Sequence, residues 1–276
     1  MVCEKELGID RANPSAAIAK VENSLLVVNL IPTPYQLAPS LLADANRLQY
    51  PIFMHIPDGF IDIPTSTAFV AASALAVSGA VKGARNQLND QSAPLAGLTA
   101  VFIFAVQMLN FPVAAGTSGH LIGAALAMVL VGPYAATLAL TVVLIVQALL
   151  FADGGLTALG LSIFNMGVIS VWISFAVFLL LKKLLPKTKS SLVVASFVAA
   201  LLSVPAAALG FVLQYAIGAT GTFSVSAVLS AMVGTHIIIG IGEGIITALT
   251  VSAVLASRSD LVYGWDKKNT TLEIRS

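Results

Sequence analysis

Between Ser66 and Ala256 the chain alternates long, almost uninterrupted apolar runs with short breaks of polar residues and glycine. The runs fall at 66–82, 93–111, 120–132, 134–151, 160–181, 191–215 and 225–256, about seven segments in all. A helix needs about 20 consecutive apolar residues to cross the hydrocarbon core of a bilayer, so most runs are of spanning length, the third being short and the seventh long. The runs are continuous instead of alternating residue by residue, which is the pattern of helices and not of a membrane barrel. The pattern predicts an all-α, polytopic integral membrane protein with about seven transmembrane helices.

Composition agrees and narrows the choice of partner. The chain is 58% hydrophobic and only 10% charged, with a mean hydropathy of +0.94. An ordinary soluble domain is about half apolar and about a quarter charged. Fourteen basic and 13 acidic residues leave a net charge of +1, so no basic field exists to hold nucleic acid, and the lipid bilayer is the medium. Cys3 is the only cysteine, which rules out a disulfide framework and a cysteine metal site. Any metal ligands are therefore nitrogen or oxygen.

Basic residues give the orientation. Lys82 and Arg85 follow the first run, Lys182, Lys183, Lys187 and Lys189 the fifth, and Arg258 the seventh. With seven crossings they share one side, which the positive-inside rule makes the cytoplasm of a prokaryotic plasma membrane. The Met54 end, the 112–120 loop, the Asp153 loop and the 218–224 loop then face outward, and residues 265–276 form a cytoplasmic tail.

Residues 1–53 break the pattern. They carry nine charged side chains, and their apolar run, Leu25 to Ile31, is too short to span. The stretch lacks the basic start and small-residue cleavage site of a secretory signal. It is expected to be an upstream start-site artefact, or a disordered or cleaved leader, ahead of a membrane domain at 54–264.

A start at Met54 changes the chemistry of Met54-His55-Ile56-Pro57-Asp58-Gly59. The free amine, the amide nitrogen of His55 and its imidazole close two fused chelate rings on a divalent ion, and one more nitrogen completes a planar set. Such sets favour Ni(II) or Cu(II). Two further histidines exist, His120 after Ala115-Gly116-Thr117-Ser118-Gly119, and His236 in the last run. His120 reads either as the fourth nitrogen or as a polar residue opening a helix. Asp58, Asp62, Asn110 and Thr117 are candidates to accept the second ring N–H of a ligating imidazole.

His236 and Glu243 are seven residues apart and so share a helical face. Glu243 is the one acid inside a predicted span, and its desolvation cost implies a partner or a polar path. Structural hydrogen bond and ligand are both open readings for it. The pairs Gly240/Gly244 and Gly119/Gly123 have the small-xxx-small spacing of close helix packing. Asp153-Gly154-Gly155 reads as a turn. Asn165, Gln107, Gln147 and Gln214 read as hydrogen-bonding links between helices. No Walker loop is present, so ATP hydrolysis, if used, belongs to another chain.

The Met54–Gly59 motif, the Ala115–His120 segment, Gly234-Thr235-His236 and Gly240-Ile241-Gly242-Glu243 together resemble the CbiM/NikM family, the substrate-binding membrane components of energy-coupling factor (ECF) transporters for cobalt and nickel. The resemblance covers roughly residues 54–264. It implies metal ligation by Met54, His55 and His120, with His236 and Glu243 at matching positions of less defined role. It also implies Co(II) or Ni(II) as transported substrate, no catalytic cofactor, and no enzymatic activity of the chain's own. The implied partners are ECF ATPase subunits, a transmembrane coupling subunit and, in some members, a small accessory membrane subunit. A membrane-embedded metalloenzyme, and a substrate-binding component for an organic micronutrient, are the alternatives from other classes.

Overall fold

A computed structural model of the protein describes residues 55–88, 92–108, 111–114 and 117–265. Residues 1–53, Met54, Asn110, the Thr117 side chain and the 266–276 tail lie outside the described residues.

Seven α-helices follow one another among the described residues: α1 (Ile63–Gln87), α2 (Ser92–Gln107), α3 (Ala124–Val131), α4 (Pro133–Leu150), α5 (Leu159–Leu184), α6 (Lys189–Gly218) and α7 (Val225–Ser257). Each predicted run corresponds to one helix, and the chain is a multi-pass membrane protein. Local chemistry sets several boundaries. Asp62 accepts from the Thr65 N–H to cap α1, with Pro64 in the first turn, and Thr188 and Ser224 cap α6 and α7 in the same way.

Five helices, α1, α4, α5, α6 and α7, are long and apolar enough to cross a membrane, while α2 is a shorter apolar helix. The run at 120–132 is the one that differs most from expectation. Only its second part is helical, and the eight residues of α3 span about 12 Å at 1.5 Å each, well short of a hydrocarbon core of about 30 Å. Gly123 at φ +77° breaks the regular backbone just ahead of α3, so His120 to Gly123 run as irregular chain. Gly119 and Gly123 thus do not form a helix-packing pair. A small antiparallel hairpin, β1 (Phe111–Ala114) with β2 (Thr117–Gly119), connects α2 to this stretch.

The core centres on α3. Ala124, Ala125, Ala127, Met128 and Val129 are fully buried, and α2, α4, α5, α6 and α7 all pack on this helix. Lipid replaces water around the outside: Leu75, Leu98, Ile238 and Leu249 expose two thirds or more of their surface, which suits hydrocarbon. With lipid as apolar as leucine, helices associate through close contact and hydrogen bonds. Both occur here. A Cβ on Gly240 would lie 2.8 Å from the Leu201 carbonyl oxygen, and one on Gly244 would lie 2.9 Å from the Phe197 ring, so the predicted Gly240/Gly244 pair seats α7 against α6. Asn165, in a π-helical stretch of α5 (Ile163–Ile169), exchanges two hydrogen bonds with Gln214 of α6, at 2.8 and 2.9 Å.

Candidate metal centre

The segment His55–Asp62 is stitched to two loops that are distant in sequence. Ile56 O accepts from Gly155 N at 2.9 Å, and Asp58 Oδ1 accepts from both the N–H and the hydroxyl of Thr157. On the other side Asp62 N donates to Gly218 O at 2.7 Å, and Thr220 bonds to the Gly59 and Phe60 carbonyls. The Asp153-Gly154-Gly155 loop does more than turn. Gly154 has φ +93°, and a Cβ there would lie 2.6 Å from the His55 Cβ; a Cβ on Gly155 would collide with Asp58 N. The paired glycines let this loop lie directly against the His55 segment.

These contacts bring His55 to His120. The ring centroids are 5.0 Å apart and inclined at 59°, and both residues are more than 90% buried. His120 Nδ1 lies 2.9 Å from the Leu121 carbonyl, which can only accept, so Nδ1 carries the proton and Nε2 keeps its lone pair. His55 Nε2 lies 3.5 Å from Asp153 Oδ2. Neither atom, nor Gln147 Oε1 beside the same ring, has a hydrogen-bond partner among the described residues. Buried polar atoms that face one another without a well-formed hydrogen bond are rare in folded proteins and mark this place as a candidate site. Burial raises the Asp153 carboxyl above the usual carboxylate range, and the nearby His120 opposes this.

Burial lowers the His55 pKa from 6.5 to about 4, against a smaller opposing effect of Gln147. The ring is therefore neutral at physiological pH, as a metal ligand must be. The same burial links stability to pH. A folded-state pKa below the unfolded one gives stability that is complete above about pH 6.5 and is lost as pH falls towards 4; at 1.36 kcal/mol per tenfold change this amounts to about 3 kcal/mol. The melting temperature of the metal-free protein is expected to drop between pH 7 and pH 5, and His55→Gln to flatten that drop.

The other sequence candidates fall in three places. Asp58 is exposed and engaged by Thr157, and Asp62 caps α1. His236, half-buried on α7, directs Nδ1 to the Met232 carbonyl at 2.7 Å. Glu243 is buried, and its two oxygens accept from Ile122 N at 2.7 Å and Gly123 N at 3.0 Å. Among the described residues no three His, Cys, Asp or Glu side chains converge to hold a metal, so the two imidazoles stand as a pair.

Three residues do more at this site than their sequence context announces. Asp153 looked like part of a turn, yet it faces His55. Gln147 and Gln107 are the helix-to-helix link expected of them, Gln107 accepting from Gln147 at 2.9 Å between α2 and α4; beyond that, Gln147 lies beside His55 and Gln107 donates to the Ile122 carbonyl at 2.7 Å. Their signal was a glutamine inside an apolar run, which tells of a buried partner but not which one.

Known proteins are similar to this chain in sequence and fold. Residues 55–261 match the family model for CbiM, the cobalt uptake substrate-specific transmembrane region. The cobalt transport protein CbiM of Sorangium cellulosum is 32% identical over 217 residues, which cover 76% of this chain and 94% of that one. The fused nickel transport protein NikMN of Rhodobacter capsulatus is 33% identical over 221 residues, covering 76% of this chain and 64% of that one. The crystal structure of a truncated transition metal transporter superposes with a TM-score of 0.65 and 30% identity, over 74% of this chain and 99% of the other. With the family model matched over residues 55–261, the chain belongs to the CbiM family of substrate-specific transmembrane proteins of cobalt and nickel transport.

Proposed function

We propose that the protein, in a form that starts at Met54, is the substrate-binding membrane component of an ECF-type importer for Co(II) or Ni(II), and that the ion is held by four nitrogens: the amine of Met54, the amide and imidazole of His55, and the imidazole of His120. The single observation that carries this reading is the burial of two imidazoles 5.0 Å apart, His55 at the start of the family-matched region and His120 within it. Ring size selects the roles. An amide nitrogen and the Nδ1 of the same histidine close a six-membered chelate ring, which leaves Nε2 of His55 to face Asp153, the atom pair found at 3.5 Å. Ligating histidines commonly donate their second ring N–H to a carboxylate, which fixes the tautomer and raises ligand basicity. His120 offers its bare Nε2 from the other side.

A set of nitrogens binds Ni(II) more tightly than Co(II) in the ordinary affinity order, so which ion is carried depends on supply and partners as much as on the site. The site lies at the outer face, the basic loops at the cytoplasmic face, and ECF ATPase subunits with a coupling membrane subunit provide the energy. Residues 54–264 form the working domain. Calorimetric titration of the purified protein with Ni(II) and Co(II) tests the ligand set. His55→Ala and His120→Ala are each expected to lose at least about 100-fold in affinity, the upper range for losing even an outer partner of a metal ligand. Wild-type affinity in both variants would overturn the reading.

A further inference from the structure

Glu243 is buried at the centre of the molecule, where an acid is costly, and it has no place among the four nitrogens. Its hydrogen bonds lead to His120. Glu243 Oε2 accepts from Ile122 N at 2.7 Å. That N–H belongs to the same peptide group as the Leu121 carbonyl, and the Leu121 carbonyl accepts from His120 Nδ1 at 2.9 Å. A single planar peptide unit therefore stands between a carboxylate and an imidazole. The second carboxylate oxygen accepts from Gly123 N at 3.0 Å, which fixes the angle of approach.

Resting on the ligand assignment above, we propose that Glu243 is a positioning residue for the metal site, acting on His120 through a carboxylate–peptide–imidazole relay. Peptide groups are polarisable, and hydrogen bonds in a chain strengthen one another. A carboxylate drawing on the Ile122 N–H puts more negative charge on the Leu121 oxygen, which holds the Nδ1 proton more firmly. The relay thus does through one peptide what a carboxylate does directly in many metal sites: it locks the tautomer, aims Nε2 and makes it a better donor. It also ties His120 to α7, a helix that supplies none of the four nitrogens. His55 has Asp153 beside it, so each imidazole has its own carboxylate.

Glutamine at position 243 keeps the shape but has one acceptor oxygen and an NH2 group, which meets one of the two N–H donors head on and leaves it unpaired. With Ni(II) as probe and protein beginning at Met54 in detergent, Glu243→Gln is expected to bind 10- to 100-fold more weakly and to shift the d–d absorption band of the bound ion. Unchanged affinity and an unchanged band in folded variant protein would overturn the relay. A second measurement needs no variant: nitrogen NMR of histidine-labelled, metal-free wild type is expected to show His120 protonated at Nδ1, and protonation at Nε2 instead would overturn it equally. His120→Ala separates the two levels. Full binding in that variant refutes the ligand assignment, whereas lost binding there together with normal Glu243→Gln refutes the relay alone.

Discussion

Acetylation of the Met54 amine is expected to abolish high-affinity Ni(II) and Co(II) binding, with a loss on the order of 1,000-fold, or about 4 kcal/mol. The amine is the anchor of the proposed chelate. A metal displaces the proton of the His55 amide only when it is already held on both sides of that nitrogen, so removing the amine removes two donors and leaves the imidazoles. A chain that retains residues 1–53 has an amide at this position and should bind as weakly as the acetylated form. Calorimetry on protein whose first residue has been identified by N-terminal sequencing makes the comparison; equal affinity with and without those residues would reject the amine as ligand. The pH profile gives an independent check. An α-amine titrates near pH 8, so affinity is expected to rise as pH increases through that range. His55, with its pKa at about 4, is neutral throughout and adds nothing to the slope.

The second large effect is expected at Gly154. Alanine there puts a Cβ 2.6 Å from the His55 Cβ on a backbone at φ +93°. Backbone strain of about 1–3 kcal/mol and overpacking of similar size together predict a loss of about 2–6 kcal/mol. The collision falls on the residue that carries the imidazole, so relief by backbone movement displaces His55 from His120, and metal affinity is expected to fall even at temperatures where the variant is fully folded. Gly97→Ala in α2 is the matched comparison: its Cβ meets nothing within 4 Å and its backbone needs no glycine, so stability should hold or rise slightly. Thermal melting and metal titration of both variants check the pair. Equal behaviour would mean that the Asp153 loop does not seat His55.

Much of the helical layout was legible from the chain. Every apolar run contains a helix because continuous apolar sequence in lipid leaves the backbone few partners but itself, and α1, α4, α5, α6 and α7 begin and end within a few residues of the runs. The run at 120–132 shows the limit of that logic. Leu121 and Ile122 are as apolar as any span residue, yet their backbone groups bond to Glu243, Gln107 and His120 and not to a helix ladder. Hydropathy registers that such residues are buried, and is silent on which groups satisfy their N–H and C=O. The same holds for the hairpin β1–β2, which no run announced.

Histidine identity and the Met54-His55 pair were in the sequence, and so was the chemistry they permit. What the sequence alone determined was therefore the solvent of the protein, its helices and its list of candidate nitrogen ligands, because these follow from side-chain type and spacing along a single segment. Tertiary structure alone decided which donors meet and what holds them: His55 against His120 across 65 positions, Asp153 and Gln147 beside His55, and Glu243 behind the peptide that carries His120. Each of these is a contact between distant segments, fixed by the directional hydrogen bonds of buried groups, and such directions exist only once the helices have packed.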